Sequence, residues 1–168
     1  MRATVIILSV CLFNIQVLSQ GVSNMFSHKN AIQIEAFGHG LFYSLGYERI
    51  LINHQTFKTS AMIGCSYYPP QSGIIDWWIP VIVNELVSIQ SHHLELGLGT
   101  VLTREASRNA DLDALEWSSE PFLTGRLGYR WQPTTGRWLF KIAFTPLLKF
   151  RKSIEFHPLG GLAGGYTF

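Results

Sequence analysis

The feature that most constrains this chain is its last stretch, Gly160, Gly161, Leu162, Ala163, Gly164, Gly165, Tyr166, Thr167 and Phe168. Stepping back by twos from Phe168 gives Tyr166, Gly164 and Leu162; the other register gives Thr167, Gly165 and Ala163. Alternate side chains of a β-strand point to opposite faces. The segment therefore reads as a strand with aromatic and aliphatic bulk on one side and small residues on the other. Bulk outward and small residues inward suit a strand of a barrel immersed in lipid, and this strand is read as the seam that closes one.

Composition is consistent with that seam. Of 168 residues, 14% are charged, 47% hydrophobic and 13% aromatic, whereas about a quarter of a soluble domain is charged. Downstream of the N-terminus no apolar run approaches the roughly 20 residues of a helical span. A membrane reading must then use strands, and only a closed barrel leaves no backbone group unpaired in lipid. The formal net charge is +2 and no basic stripe is visible, which argues against a nucleic-acid partner.

The N-terminus reads as a signal peptide over residues 1–19, leaving residues 20–168 as the barrel domain. Arg2 supplies a basic start, residues 5–18 an apolar region, and Ser19 a small residue at the cleavage site before Gln20. Cys11 follows Val10, too bulky for a lipoprotein signal, so after cleavage only Cys65 remains and no internal disulfide can form.

Residues 20–30 form a polar lead-in, and eight strands follow, at residues 32–37, 41–50, 58–68, 77–87, 93–103, 121–131, 137–148 and 156–168. Strand five is the clearest, with Leu94, Leu96, Leu98 and Leu102 on one face and Glu95, Gly97, Gly99 and Val101 on the other. Strand one sets Gln33, Glu35 and Phe37 together; strand two sets Leu41, Tyr43, Leu45 and Tyr47 against Phe42, Ser44, Gly46 and Glu48. The facing of strand three is open, because both faces are mixed. Connections after strands two, four and six are short, and those after three, five and seven are longer and polar. That asymmetry belongs to an up-and-down transmembrane barrel with both termini on the short-turn side. The expected fold is thus all-β, an eight-stranded antiparallel up-and-down transmembrane β-barrel. The connection Gly38, His39, Gly40 departs from the pattern, being too short for an external loop.

The small-residue faces also carry charge. Glu35, Glu48 and Glu95 are matched by Arg126, Arg130 and Lys141, and three of each sign can form a paired network filling an eight-stranded interior. Tyr43, Tyr47, Trp77, Trp78, Tyr129, Trp131, Trp138, Tyr166 and Phe168 lie near strand ends, where aromatic rings anchor at the lipid interface. Residues 104–120 read as a polar loop with five acidic and two basic residues, the expected surface for a partner.

Residues 38–49 (GHGLFYSLGYER), Trp78-Ile79-Pro80-Val81, residues 94–99 (LELGLG), Gly128-Tyr129-Arg130-Trp131, Phe144-Thr145-Pro146 and residues 161–168 together resemble the small outer-membrane β-barrel proteins of Gram-negative bacteria, of the OmpA and OmpX kind. The resemblance spans nearly all of residues 20–168. It implies an outer-membrane location, contact with outer-membrane lipid, and use of the ending at Tyr166 and Phe168 as the signal read by the barrel assembly machinery. Gly164 departs from the alternate-hydrophobic form of that signal.

Chemistry is sparse in the sequence. Some small outer-membrane barrels modify lipid with a histidine, a serine and an acid. Here His39 sits at a turn, His92 and His93 open strand five, and His157 lies in the last loop. None has a serine at alternate spacing on its own strand face, and a nucleophile needs its base within hydrogen-bond reach. Adjacent His92 and His93 point to opposite faces and cannot share a metal. No phosphate loop, zinc signature or nucleotide fingerprint is present, so no catalytic residue, metal or cofactor is expected. The leading expectation is a structural or surface-interaction barrel with a filled interior. A lipid-modifying enzyme and a secreted lipocalin-like carrier of a small apolar ligand are the alternatives, the latter requiring charges outside and bulk inside.

Overall fold

A computed structural model describes residues 24–69, 76–109, 114–119, 121–150 and 154–168. The expected signal peptide, residues 1–19, lies outside the described residues. Eleven strands appear in chain order: β1 (Asn30–Phe37), β2 (Tyr43–Asn53), β3 (Phe57–Tyr67), β4 (Trp77–Ile89), β5 (His92–Asn109), β6 (Ala114–Ser118), β7 (Pro121–Trp131), β8 (Trp138–Phe144), β9 (Leu147–Phe150), β10 (Ile154–His157) and β11 (Gly160–Thr167). Each of β1 to β5 pairs antiparallel with the next; β5 then pairs with β7, β7 with β8, β8 with β11, and β11 with β1. That circuit is a closed, eight-stranded antiparallel up-and-down barrel. Its seam is β1 against β11, from Ala31↔Thr167 to Phe37↔Gly161.

The remaining strands lengthen the barrel on the side away from the termini. Strand β9 continues β8 after a break at Thr145 and Pro146, and pairs with β7 at Leu123↔Leu148 and Thr124↔Leu147. A proline has no N–H for the ladder; the Pro146 carbonyl instead accepts from Gly125 N and Thr124 Oγ1. Strand β10 folds back on β9, and β6 on the end of β5. Pro80 likewise interrupts the β3–β4 ladder, which skips from Ile63↔Val81 to Ser66↔Trp78.

Four expectations are corrected. Residues 104–120 are not a loop: β5 runs on to Asn109 and pairs with β6 from Glu105↔Ser118 to Asn109↔Ala114. The segment contains no glycine or proline to stop a ladder, so its charge is compatible with a continued strand. Residues 110–113 and 120 lie outside the described residues. The polar connection expected after strand seven likewise carries β10, paired with β9 from Ile154↔Phe150 to His157↔Leu147; residues 151–153 lie outside the described residues. The first connection is a single 3-10 turn, Gly38–Gly40, with Phe37 at φ 62° and Leu41 at φ 69°. These two non-glycine residues in a left-handed backbone reverse the expected facing: Phe37 and Phe42 are exposed, while Leu41 packs against the buried cluster at that end. Finally, Trp78 is not an interfacial anchor. It faces inward, buried and stacked on Phe122 at 5.5 Å between ring centroids.

Elsewhere the inside–outside division follows the two-residue period. Ile32, Ile34, Leu45, Ile63, Val81, Val83, Leu94, Leu96, Leu98, Leu127, Ile142 and Leu162 are exposed and form an outward aliphatic band. Strand three, left open by sequence, turns Lys58, Ser60, Met62 and Ser66 inward and Phe57, Ile63 and Tyr67 outward.

Candidate functional site: the charged barrel interior

The interior is built from alternating large and vanishing side chains. Across the β5–β7 ladder Glu95 faces Gly128 and Arg126 faces Gly97. A Cβ on Gly97 would lie 2.4 Å from Asn84 Oδ1 and 2.9 Å from Arg126 Cβ; one on Gly128 would lie 2.6 Å from Ala143 Cβ. These glycines are what let long charged side chains cross a barrel of this width.

The six charged residues named from sequence all point inward, and each is at most 5% exposed. Arg126 spans two acids, with Nη2 to Glu35 Oε1 at 2.9 Å and Nη1 to Glu95 Oε1 at 3.2 Å. Lys141 Nζ reaches Glu48 Oε2 at 2.6 Å and Glu95 Oε1 at 3.3 Å. Arg130 Nη1 meets Glu48 Oε1 at 2.7 Å and Glu95 Oε2 at 3.9 Å. Glu95 is thus the hub, touching all three cations. Ser60 Oγ donates to Glu48 at 2.5 Å and Ser44 Oγ to Glu35 at 3.4 Å. Charges removed from water require this degree of pairing and hydrogen bonding.

Several partners are not visible in the sequence pattern. His39, placed at a turn by sequence, is fully buried, because the inward 3-10 turn carries it into the barrel. Its Nδ1 accepts from Arg126 Nη2 at 3.0 Å and its Nε2 donates to the Gly125 carbonyl at 3.2 Å. That arrangement corresponds to the neutral tautomer protonated on Nε2. Lys58 is buried near the terminus-side mouth, where Nζ donates to Ser88 Oγ at 2.8 Å and to the Gln55 carbonyl at 3.0 Å. Gln132 accepts from Arg130 Nε at 2.8 Å.

Phe26, from the polar lead-in, covers this mouth. It is buried with Ile50 and Leu86. Lys58 Nζ lies 4.9 Å and Arg130 Cζ 5.8 Å from its ring centroid, and the His93 ring meets it edge-on at 5.0 Å. Cations over an aromatic face are attracted by its quadrupole. The backbone is held by a reciprocal pair with Asn53, Phe26 N to Oδ1 at 3.1 Å and Nδ2 to Phe26 O at 3.0 Å. A single aromatic in a polar run carries no periodic signal, which is why the sequence gives no hint of it.

His93, at the start of β5, also faces inward. It is buried, with Nδ1 2.8 Å from Ser88 Oγ and Nε2 2.9 Å from the Gln132 carbonyl. A serine within reach of an imidazole is thus present, on neighbouring strands rather than one. Ser88 is 5% and His93 1% exposed, and Phe26 lies against the imidazole. His92 is exposed and bonds Tyr129 OH at 2.5 Å, and His157 lies 3.9 Å from Glu155 at the surface. Among the described residues no group of histidines, cysteines and acids is placed to hold a metal.

The opposite mouth is apolar. Tyr68, Trp78, Val101, Phe122 and Leu147 form a buried cluster, with Leu41 and Leu159 against it. The Tyr68 hydroxyl donates to the Gly40 carbonyl, tying this cluster to the inward turn. Tyr166 and Phe168, the expected assembly signal, lie on the outer wall, with Tyr166 OH accepting from Arg137 Nη1 at 2.6 Å and Phe168 N donating to the Asn30 carbonyl at 2.9 Å.

Comparison with protein-family models and with curated protein sequences returned no match. Among solved structures the chain is similar to the N-terminal β-barrel domain of Pseudomonas aeruginosa OprF, with a TM-score of 0.55 at 13% identity, over 84% of this chain and 100% of that one. The likeness is one of fold: a closed eight-stranded antiparallel up-and-down β-barrel.

Proposed function

We propose that this chain is exported by its N-terminal segment and resides in a bacterial outer membrane as a barrel with a filled interior and a structural or surface-interaction role. The observation that carries the proposal is the inverted division of polarity. Glu35, Glu48, Glu95, Arg126, Arg130 and Lys141 are inside and buried, while the aliphatic band and aromatic rings such as Tyr67, Trp77, Tyr129, Trp138 and Tyr166 are outside and exposed. A lipocalin-like carrier needs the opposite arrangement, with its apolar face lining a cavity. So extensive an exposed apolar surface is tolerable only against lipid or another protein.

The role is structural rather than catalytic or conductive. The network and the clusters at both mouths occupy the space that a substrate or an ion would need. The ending at Tyr166 and Phe168 serves the assembly machinery, and the β5–β6 hairpin, above the barrel on the side away from the termini, is the surface offered to a partner. The test is threefold: fractionation of cells, gel migration with and without boiling, and conductance in a planar bilayer. The protein should co-fractionate with outer membranes, shift on boiling and pass no steady current. Recovery in the soluble fraction would refute the location, and a stable conducting state would refute the filled interior.

A further inference from the structure

Among the described residues, the outer wall between the two rims carries two charged side chains, Arg49 on β2 and Glu85 on β4. Every other outward position of β4 is apolar: Trp77, Ile79, Val81, Val83, Val87 and Ile89. Charge on a lipid-facing wall is disfavoured, the more so toward the midplane, and an ionisable residue there marks a functional contact. Arg49 lies four residues before Asn53, the last residue of β2, and Glu85 four before Ile89, the last of β4. Both therefore sit at one depth, roughly 10 Å in from the terminus-side rim at the usual strand rise and tilt. Between them β3 places two small outward side chains, Thr59 and Ala61. Ala61 pairs with Arg49 on one side and Val83 on the other, and Thr59 pairs with Glu85. Thr59 Oγ1 donates to Glu85 Oε2 at 2.8 Å. Above and below, β3 presents the bulkier Ile63 and Phe57.

We propose that this notch is the interface of a symmetric dimer, occupied by a second copy of the chain. The inference rests on the membrane reading above. A two-fold axis along the membrane normal brings the left flank of one barrel against the right flank of the other at equal depth, as an isologous contact requires. With the axis passing between two facing β3 strands, Arg49 of each copy meets Glu85 of the other, twice. Thr59 and Ala61 let the two walls approach closely, as small residues do at contacts within membranes. The patch is complementary to itself, which no single-signed partner would require, and pairing removes both charges from lipid.

The full-length protein, labelled with donor or acceptor fluorophore and inserted in phosphatidylcholine vesicles, would be followed by energy transfer as it is diluted in lipid. Barrel closure is monitored separately by the boiling shift on gels. The wild type should associate, and E85R or R49E alone should weaken association about tenfold or more, by setting like charges together. The double variant R49E/E85R should recover it. A61W, which keeps both charges but fills the notch, should abolish it. A shifted but monomeric wild type, or single variants that associate as the wild type does, would overturn the dimer alone. Absence of the boiling shift in the wild type would overturn the membrane reading and the dimer with it.

Discussion

At the scale of single residues, the buried charges divide into those whose loss strands a partner and those whose loss does not. Arg126 holds Glu35 and Glu95 and donates to His39. Arg126→Leu leaves two acids short of a counter-charge in a water-poor interior, and removing one partner of a buried pair costs about 3–5 kcal/mol. Arg137→Leu loses a contact to Tyr166 at an exposed rim, where charged pairs are worth about 0–1 kcal/mol. Urea titrations of the folded protein in detergent should therefore separate the two variants, and equal losses would count against a network that stabilises the barrel. Phe26→Ala removes the ring beneath Lys58 and beside His93. It should destabilise by about 3 kcal/mol, typical of a buried phenylalanine, in the same titration. A loss within error of zero would mean that Phe26 is not a stopper. The six charges could be read from sequence because strand parity alone decides which way they point. Lys58 could not be placed, since Lys58, Ser60 and Ser66 on one face oppose Thr59, Ala61 and Cys65 on the other, and neither face is plainly polar. His39 and Phe26 were illegible for a different reason: each enters the barrel from outside a strand, where no periodicity applies.

At the scale of elements, the strands with a clean two-residue alternation are those whose facing the sequence predicts throughout. Strand β5 alternates from Leu94 to Leu102, and β11 closes on β1 as the glycine-rich ending suggests. The misread elements are those at the barrel's outer end. There water satisfies the backbone and charge no longer distinguishes strand from loop, so β6 and β10 hide in charged sequence, while Pro146 splits β9 from β8 within the stretch expected as one strand. Deleting Phe168 removes the final outward ring and its backbone bond to Asn30. The truncated protein should fail to insert in cells while still folding in detergent, as followed by the boiling shift in each setting; normal insertion would remove the assembly role of this residue. Deleting residues 105–118 should, in contrast, leave the shift intact. The β5–β7 ladder reaches Leu102↔Pro121 below the hairpin and closes the barrel without it. Loss of the shift in that variant would make the hairpin part of the barrel rather than an addition to it.

At the scale of the whole molecule, one fact organises the rest: the chain buries its charges and exposes its aliphatic residues. In water that arrangement would forfeit most of the hydrophobic stabilisation of a domain of this size. In lipid it is the arrangement that leaves the outer wall matched to its solvent and the interior paired. The same division explains the inward glycines opposite Glu95 and Arg126 and the rings along the rims. The measurement that tests it most directly is a nitroxide scan of β5 in vesicles, with single labels at positions 94 to 98 and oxygen as a lipid-soluble relaxing agent. The account predicts a two-residue period, with high oxygen contact at Leu94, Leu96 and Leu98 and low contact at Glu95 and Gly97. Uniform contact along the strand, or a maximum at Glu95 and Gly97, would contradict it.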